Sequence, residues 1–331
     1  MTPPLLSVKD LTVRFKVRGA APFREAAYLT AVDGVTFDVA RGESLGIVGE
    51  SGSGKSTTAL AIARLITHHS GEVRLDGEDL LALKGGDLRR ARRKFQFIFQ
   101  DPYSSLNPRR RAAEIVTEPL ASIGLVPKGD RRKLVDDLFE AVGLRPEQQN
   151  LFPHQFSGGQ RQRIGIARAL APNPALVICD EAVSALDVAV QAQILNLLRR
   201  LQRERGLTYL FISHDLGVVQ HMCDRIAVMY MGKIVEFADR LSLFNSPLHP
   251  YTCALLSAVP SVDPDRRART KRILITGEPP SPTSPPPGCR FASRCPVAEP
   301  RCKTEPPPLR EVREGHRVAC HLVGDDARAP V

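Results

Sequence analysis

The sequence lacks a long apolar segment of the kind that crosses a membrane. Its longest stretch without a charged residue runs from Leu241 to Val262 and contains three prolines and His249. Proline backbone and a histidine side chain would be costly in hydrocarbon. Residues 1–15 carry charges and contain no continuous apolar core, so we expect no signal peptide. We therefore predict a cytoplasmic chain that reaches a membrane only through partner subunits.

The cysteine pattern of a disulfide framework is also missing. The chain has seven cysteines in 331 residues, and cytosolic thiols stay reduced. Four of them are grouped near the C-terminal end: Cys289, Cys295, Cys302 and Cys320. Thiolates grouped in this way are more typical of metal ligands than of bridges. Their spacing lacks the C-x2-C pairs of zinc ribbons, which weakens a zinc prediction.

The overall composition is that of a globular protein, with 43% hydrophobic and 25% charged residues. The length of 331 residues predicts one large domain with a smaller appendage. The formal net charge of +10 indicates an anionic partner, which could be a nucleotide, a nucleic acid or an anionic membrane surface. Arginine-rich helix faces in solvent would give the same charge, so charge alone does not choose among these.

One nine-residue stretch matches the phosphate-binding pattern G-x-x-x-x-G-K-[ST] at every required position. It consists of Gly49, Glu50, Ser51, Gly52, Ser53, Gly54, Lys55, Ser56 and Thr57, and we call it the phosphate loop. A predicted strand over 44–48 precedes it and a predicted helix over 58–65 follows, as the pattern requires. Lys55 would reach the β- and γ-phosphates of a nucleotide, and the Ser56 hydroxyl would ligate Mg²⁺.

An acidic pair follows a second apolar strand. The run 175–179 is fully apolar and ends at Asp180 and Glu181. Ligands of open α/β sheets bind at the carboxyl ends of the strands, so both carboxylates are expected to face the nucleotide. We predict that Asp180 holds Mg²⁺ through water and that Glu181 is the general base for the attacking water.

Two more strand ends carry polar side chains suited to the same site. Gln100 follows the β-prone run 95–99 and could ligate Mg²⁺ or hold water, with a flexible stem that follows the γ-phosphate. His214 follows the apolar run 208–213 and could hydrogen-bond the γ-phosphate and the attacking water. Both are therefore candidate catalytic residues.

Helices are predicted between Gln100 and the acidic pair. Apolar spacing from 112 to 151 indicates helices broken at Pro119 and Pro127. Another helix begins after Phe156 with Ser157, Gly158, Gly159 and Gln160. Ser157 is a good N-cap, and a plain capped helix is one interpretation of this start. Two successive glycines weaken a helix start unless something approaches the backbone closely, and an anion held by these amides would be a reason.

Together these motifs resemble the ATPase subunit of ATP-binding cassette (ABC) transporters, and the match covers roughly residues 5 to 245. The resemblance implies an α/β P-loop NTPase core with flanking antiparallel β-structure and a helical insertion at about 100–172. It also implies that two such domains sandwich two ATP molecules. Ser157–Gln160 of one subunit would then cap the γ-phosphate held by the other's phosphate loop. Phe15 would stack on adenine, and Asp187 would lie at the dimer seam.

Further details resemble the dipeptide/oligopeptide importers. These are the segment 100–108, Phe156 in place of the commoner Leu, and the motif His249 to Thr252. In that subfamily the ATPase is usually one of two unlike sister subunits, which act with two transmembrane permease subunits and, indirectly, an extracytoplasmic peptide-binding protein. The resemblance places the chain peripherally at the cytoplasmic face of the inner membrane. Ala182 departs from the family, which usually has proline after the glutamate, and this puts the pose of Glu181 in question.

Residues 246–331 would form a small C-terminal extension that contains the cysteine group. Its proline-rich part, 278–308, predicts an extended and semi-rigid segment. Similar tails in the importer family suggest a [4Fe–4S] cluster on the four cysteines. Zinc is the less favoured metal, and a metal-free arm that docks the sister subunit stays open.

Three functions are compared on this basis. The full motif set favours an ATP-hydrolysing subunit of a membrane importer for di- and oligopeptides, with ATP and Mg²⁺ as cofactors. An ABC importer for nickel or another solute would use the same site. A soluble ABC-type ATPase acting on ribosomes or nucleic acid is the remaining alternative. Such relatives generally carry two cassettes or a long coiled-coil insert, neither of which this sequence shows, so no nucleic-acid partner is expected.

Overall fold

The structure is a computed structural model, and it describes residues 3–17, 27–101, 103–125, 131–259, 273–324 and 326–331. Pro127, where a helix break is predicted, and Pro102 of the segment 100–108 lie outside these ranges. Twelve strands are described: β1 (Leu6–Val17), β2 (Ala27–Val39), β3 (Ser44–Val48), β4 (Ser70–Leu75), β5 (Glu78–Asp79), β6 (Phe95–Ile98), β7 (Leu176–Asp180), β8 (Thr208–Ser213), β9 (Arg225–Tyr230), β10 (Lys233–Asp239), β11 (Arg310–Arg313) and β12 (His316–Val318).

The helices within the described ranges lie between these strands in the chain. They are α1 (Lys55–Ile62), α2 (Gly85–Ala91), α3 (Ala112–Ser122), α4 (Arg131–Ala141), α5 (Gly158–Leu170), α6 (Val188–Arg205), α7 (Leu216–Met222), α8 (Arg240–Asn245), α9 (Pro250–Ser257) and α10 (Pro300–Thr304), with 3₁₀ turns at Pro146–Asn150 and Pro153–Gln155. None of the described helices is long and apolar enough to cross a membrane.

The strands form two sheets. The smaller sheet is antiparallel, with the order β2-β1-β4-β5. The larger sheet has the order β11-β12-β10-β9-β3-β8-β7-β6. Its neighbours from β9 through β3, β8 and β7 to β6 run parallel, whereas β10 and β12 are added in antiparallel fashion. The predicted α/β core with flanking antiparallel β-structure is confirmed.

The parallel strands are apolar along their whole length because both of their faces are covered. In β8, Tyr209 and Phe211 face one buried cluster, whereas Leu210 and Ile212 face the other. The first cluster lies towards α5 and α6, and the second lies towards the antiparallel sheet and α1. This packing fixes the positions of the strand ends, and the candidate site residues lie at or just after those ends in the chain.

The helical insertion is present, but one predicted break is wrong. Pro119 lies inside α3, which continues to Ser122. The ring removes one donor from the helix, yet Ile115, Val116 and Leu120 are buried on the face that packs against the rest of the core. Burial of this apolar face outweighs the single lost hydrogen bond, since tertiary packing overrides local propensity.

The C-terminal region extends the large sheet. β9 and β10 form an antiparallel hairpin, and β12 pairs with the other edge of β10. Glu236 of β10 and His316 of β12 are both fully buried, with Oε1 and Nε2 2.8 Å apart. The predicted boundary between residues 245 and 246 stays a prediction.

Candidate active site

The phosphate loop connects the end of β3 to the start of α1. Gly49, Gly52 and Gly54 have φ values of +153°, +78° and +103°, which favour glycine. A side chain at Gly49 would overlap the carbonyl oxygen of Met229, and one at Gly54 would overlap that of Ala31. The backbone of the loop therefore lies in close contact with β9 and β2. Helix α1 begins three residues earlier than predicted, so the motif's Lys and Ser lie in its first turn.

Lys55 is buried and bonded back to this loop. Its Nζ donates hydrogen bonds to the carbonyl oxygens of Gly49 and Glu50, each at 2.9 Å. Burial lowers the pKa of Lys55, and the carboxylates of Glu181 and Asp180 oppose that shift. A cation held at a helix N-terminus among loop amides is suited to binding a phosphate chain.

Ser56 and Asp180 bring two oxygen donors together from α1 and β7. Ser56 Oγ donates to Asp180 Oδ1 at 2.8 Å. Burial raises the pKa of Asp180, although the Ser56 hydrogen bond opposes that effect. Hydroxyl and carboxylate oxygens are the ligands that Mg²⁺ prefers, so this pair fits the metal that accompanies ATP.

Glu181 lies at the centre of the polar side chains at the strand ends. Gln100 Nε2 donates to its Oε2 at 2.7 Å, and His214 Nδ1 lies 2.9 Å from its Oε1. The side chain of Glu181 is 15% exposed and that of His214 is 56% exposed. A cavity of about 180 Å³ adjoins them, lined by residues 181–184 and 211–215 among others. The sequence-predicted catalytic side chains are thus brought together.

Alanine in place of proline after Glu181 leaves this turn well fixed. Glu181 has a φ of +48°, a strained value for a residue with a side chain. Its N–H donates to Ile212 O at 2.9 Å, and its carbonyl accepts from both the N–H and the hydroxyl of Ser184. Ala182 itself is buried. Hydrogen bonds to neighbouring elements therefore hold the backbone of Glu181 without proline.

Phe15 lies on β1 with 40% of its surface exposed. It pairs with Leu29 of β2, two residues from Ala31, whose carbonyl packs against Gly54 of the phosphate loop. The ring is therefore on the strand pair that borders the loop and is accessible to a ligand. Its role as the adenine contact stays a prediction.

The helix start at Ser157–Gln160 is a complete capping box. Ser157 Oγ accepts from Gln160 N at 3.4 Å, and Gln160 Oε1 accepts from Ser157 N at 2.9 Å. The structure adds a reason for the second glycine, because a Cβ at Gly159 would lie 2.5 Å from Val190 Cγ1 of α6. Asp187 caps α6, with its Oδ1 accepting from Val190 N. Within the described residues, no hydrogen bond joins Ser157–Gln160 to the phosphate loop of the same chain.

Two residues that contact the phosphate loop were missed by the sequence analysis. The N–H of Glu50 donates to Tyr251 Oη at 2.8 Å, and Arg294 donates to both carboxylate oxygens of Glu50 at 2.8 and 3.2 Å. Tyr251 belongs to the motif 249–252 that marks the importer subfamily, so that motif was a usable signal. No pattern pointed to Arg294.

The four C-terminal cysteines line one small pocket of about 10 Å³, with His249 and His321 nearby. Burial raises the pKa of Cys289 to about 11 and also raises the pKa of Cys295 and of Cys320. Soft thiol donors suit zinc or iron–sulfur chemistry. In the described part of the chain, however, no group of three His, Cys, Asp or Glu side chains is arranged to hold a metal ion.

The fold and the site together define the class of the protein, which is a P-loop ATPase. Its helical insertion lies in the sequence between the phosphate loop and the strand that ends in the acidic pair. The ABC transporter family model matches residues 32–184, and that of the oligopeptide/dipeptide transporter C-terminal region matches 235–302. The chain belongs to the ATP-binding subunits of ABC transporters, as the sequence analysis predicted. ATP and Mg²⁺ are the nucleotide and metal of this ATPase family.

Relatives and solved structures agree with this assignment. A putative peptide import ATP-binding protein of Brucella ovis is 51% identical over 317 residues, covering 96% of this chain and 97% of the relative. The oligopeptide transport ATP-binding protein AppF of Bacillus subtilis is 48% identical over 319 residues, with coverage of 96% and 97%. The ABC cassette MJ0796, solved as a dimer bound to ADP and Pi, has a TM-score of 0.62 and 32% identity, and covers 71% of this chain and 98% of that chain.

Proposed function

We propose that this chain is the ATP-hydrolysing subunit of an importer for di- and oligopeptides. The observation that carries the proposal is the C-terminal region at 235–302, which matches that of oligopeptide/dipeptide transporters and packs directly on the nucleotide site. Relatives near 50% identity over almost the whole chain are named for peptide or oligopeptide transport. Charge and fold alone would not select this solute.

Uptake into vesicles that contain the assembled transporter tests the solute. ATP-dependent accumulation of labelled di- and tetrapeptides is expected, with none when ATP is replaced by a non-hydrolysable analogue. Accumulation of nickel but not of peptides would contradict the peptide assignment while leaving the ATPase assignment in place.

The catalytic roles proposed for the site follow from its geometry. Glu181 acts as general base on the attacking water, and Gln100 and His214 orient the carboxylate and the γ-phosphate. Lys55 neutralises charge on the β- and γ-phosphates. Ser56 and Asp180 would hold the Mg²⁺ that accompanies ATP, and the ion would neutralise charge on the phosphates. The hydrogen bonds from Gln100 and His214 to Glu181 support this division of roles.

Hydrolysis is proposed to require a second ATPase subunit. Ser157–Gln160 forms a helix N-terminus that is not bonded to its own phosphate loop, which suits a role at the partner's γ-phosphate. The dimer of MJ0796 with ADP and Pi is consistent with such pairing. We propose an unlike sister subunit, two transmembrane permeases, and indirect coupling to an extracytoplasmic peptide-binding protein. The subunit would be peripheral, at the cytoplasmic face of the inner membrane.

The four cysteines are proposed as ligands of a [4Fe–4S] cluster, with Zn²⁺ as the second candidate. The four thiols line one pocket, which supports the proposal, although the described residues hold no group already arranged to bind a metal ion. Anaerobic purification followed by iron, labile-sulfide and zinc analysis decides the point. Colourless, metal-free protein would contradict both metals and favour a docking arm for the sister subunit.

A further inference from the structure

In the phosphate loop, Glu50 is held through both its backbone and its side chain by residues of the C-terminal region. Its N–H donates to Tyr251 Oη at 2.8 Å, and its carboxylate receives two hydrogen bonds from Arg294. The carbonyl oxygen of Glu50 accepts from Lys55 Nζ at 2.9 Å. Glu50 therefore connects the C-terminal region to the lysine that faces the phosphates.

Both C-terminal partners are rigidly held. Tyr251 is fully buried, and its ring lies 4.7 Å from that of Tyr230 and 5.4 Å from that of Phe291, measured between centroids. The Arg294 side chain is 9% exposed, and it also donates to Tyr230 Oη at 3.3 Å. A hydrogen bond between such groups loses little conformational freedom on forming, because the surrounding packing has already fixed them.

A second arginine in the same segment contacts residues that adjoin the loop. Arg290 donates to the carbonyl of Met231 and pairs with Asp33 of β2. The next residue, Gly232, donates its N–H to Ser53 O of the phosphate loop at 2.8 Å. Arg294 thus contacts the loop directly at Glu50, whereas Arg290 contacts Met231, whose neighbour Gly232 is bonded to Ser53.

A buried polar network holds the backbone at Tyr251 in place. Glu236 accepts from the N–H groups of Leu248 and His249 at 2.7 and 2.9 Å, and it pairs with His316. His249 Nδ1 in turn accepts from Tyr251 N at 3.1 Å. Strand β12, the loop before α9 and the start of α9 are joined in this way, so Tyr251 is fixed by the region that distinguishes this subfamily.

We infer that Tyr251 and Arg294 are positioning residues for ATP, because they hold Glu50 and thereby set the shape of the phosphate loop. The inference concerns ATP binding by this chain and does not depend on which solute is transported. A residue that only stabilises the fold would lower the melting temperature without changing nucleotide affinity. A positioning residue changes affinity even where the fold is intact.

The test is the dissociation constant of a fluorescent ATP analogue, with KM and kcat for ATP, on full-length protein and in the assembled transporter. Arg294→Gln is expected to raise Kd and KM roughly tenfold with kcat within about twofold, since a charge-assisted hydrogen bond is lost. Arg294→Lys should recover part of the affinity. Tyr251→Phe, which removes one acceptor and keeps the ring, should raise Kd about fivefold.

Matched controls come from the same chain. Arg301→Gln breaks the exposed pair with Glu305 in the same C-terminal region, and Tyr209→Phe breaks a buried hydrogen bond to Leu198 O away from the loop. Neither is expected to change Kd. In a double-mutant cycle, Arg294→Gln should have little further effect once Glu50→Gln is present.

Two results would overturn the inference. One is an unchanged Kd in Arg294→Gln and Tyr251→Phe, whether or not the melting temperature falls. The other is equal loss of affinity in these variants and in the controls, which would indicate a general effect of reduced stability. If Arg294→Gln fails to fold, Arg294→Lys and Tyr251→Phe still decide between these outcomes.

Discussion

Ser56 Oγ donates a hydrogen bond to Asp180 Oδ1 at 2.8 Å, although 124 residues separate them in the chain. The bond joins the first turn of the helix after the phosphate loop to the strand that carries the acidic pair. Two oxygen donors are thus in place for the divalent ion before any nucleotide contributes its phosphates.

Ser56→Ala is therefore expected to raise the Mg²⁺ concentration needed for half-maximal ATP hydrolysis by about tenfold, since one metal ligand is lost. The measurement is a Mg²⁺ titration of ATPase activity at saturating ATP. Thr36→Ala serves as the control, because it removes a similar hydroxyl–carboxylate pair with Asp10 on the exposed antiparallel sheet. An unchanged Mg²⁺ requirement in Ser56→Ala would contradict the proposed metal contact.

Two glycines in α5 should respond in opposite directions to alanine. Gly159→Ala is expected to destabilise the fold by about 1–3 kcal/mol, because its Cβ would lie 2.5 Å from Val190 Cγ1. Gly165→Ala has open space around its Cβ and should stabilise the helix by about 0.5–1 kcal/mol. Urea unfolding of the full chain measures both. Loss of the Gly159→Ala defect in a Val190→Ala background would establish the steric cause.

Stability should fall in mild acid because His249 is buried. Burial lowers its pKa to about 4, and the nearby carboxylate of Glu236 only partly offsets that effect. The unfolded chain binds a proton on this residue near pH 6.5, whereas the folded chain does not until about pH 4. Stability is therefore fully present above pH 6.5 and is lost as pH falls towards 4, by about 2 kcal/mol at pH 5.

His249→Asn removes this titration and keeps an N-cap acceptor at the start of α9. The variant is expected to be less stable at neutral pH but to lose less stability between pH 7.5 and pH 5 than the unmodified chain. The matched control is His154→Asn, which makes the same side-chain change at an exposed position. Parallel pH curves for wild type and His249→Asn would contradict the assignment.

Ser157→Arg is expected to reduce hydrolysis in the assembled transporter by at least tenfold while ATP binding to this chain's own loop stays normal. The reason is that Ser157 begins a helix proposed to close the partner's site, where a long cationic side chain would block approach. Binding is measured on the single subunit and hydrolysis on the complex. A matching loss of ATP affinity in the isolated subunit would place Ser157 at its own site instead.

Much of this site could be predicted from the sequence because its parts lie at strand ends. Glycine spacing identifies the phosphate loop, and apolar runs that end in Asp180, Glu181 or His214 place those side chains at one edge of a parallel sheet. The prediction of a helix break at Pro119 was wrong, because it was inferred from the local propensity of proline alone. Packing of the buried face of α3 decided the outcome.

Other contacts could not be predicted because they depend on long-range packing. Arg294 and Glu50 are 244 positions apart, and neither lies in a pattern that implies the other. The clash that explains Gly159 involves Val190, whose position is set by the start of α6. The antiparallel pairing of β12 with β10 likewise required the three-dimensional structure, because the intervening chain gives no signal of a return to the sheet.

The central claim is that Glu181, held by Gln100 and His214, activates water for ATP hydrolysis. It is tested most directly by ATP turnover of the assembled transporter with Glu181→Gln, which keeps the shape of the side chain and removes the base. The account predicts a loss of about 10²–10⁴-fold in kcat with ATP binding retained. Steady-state hydrolysis equal to that of the unmodified complex would contradict it.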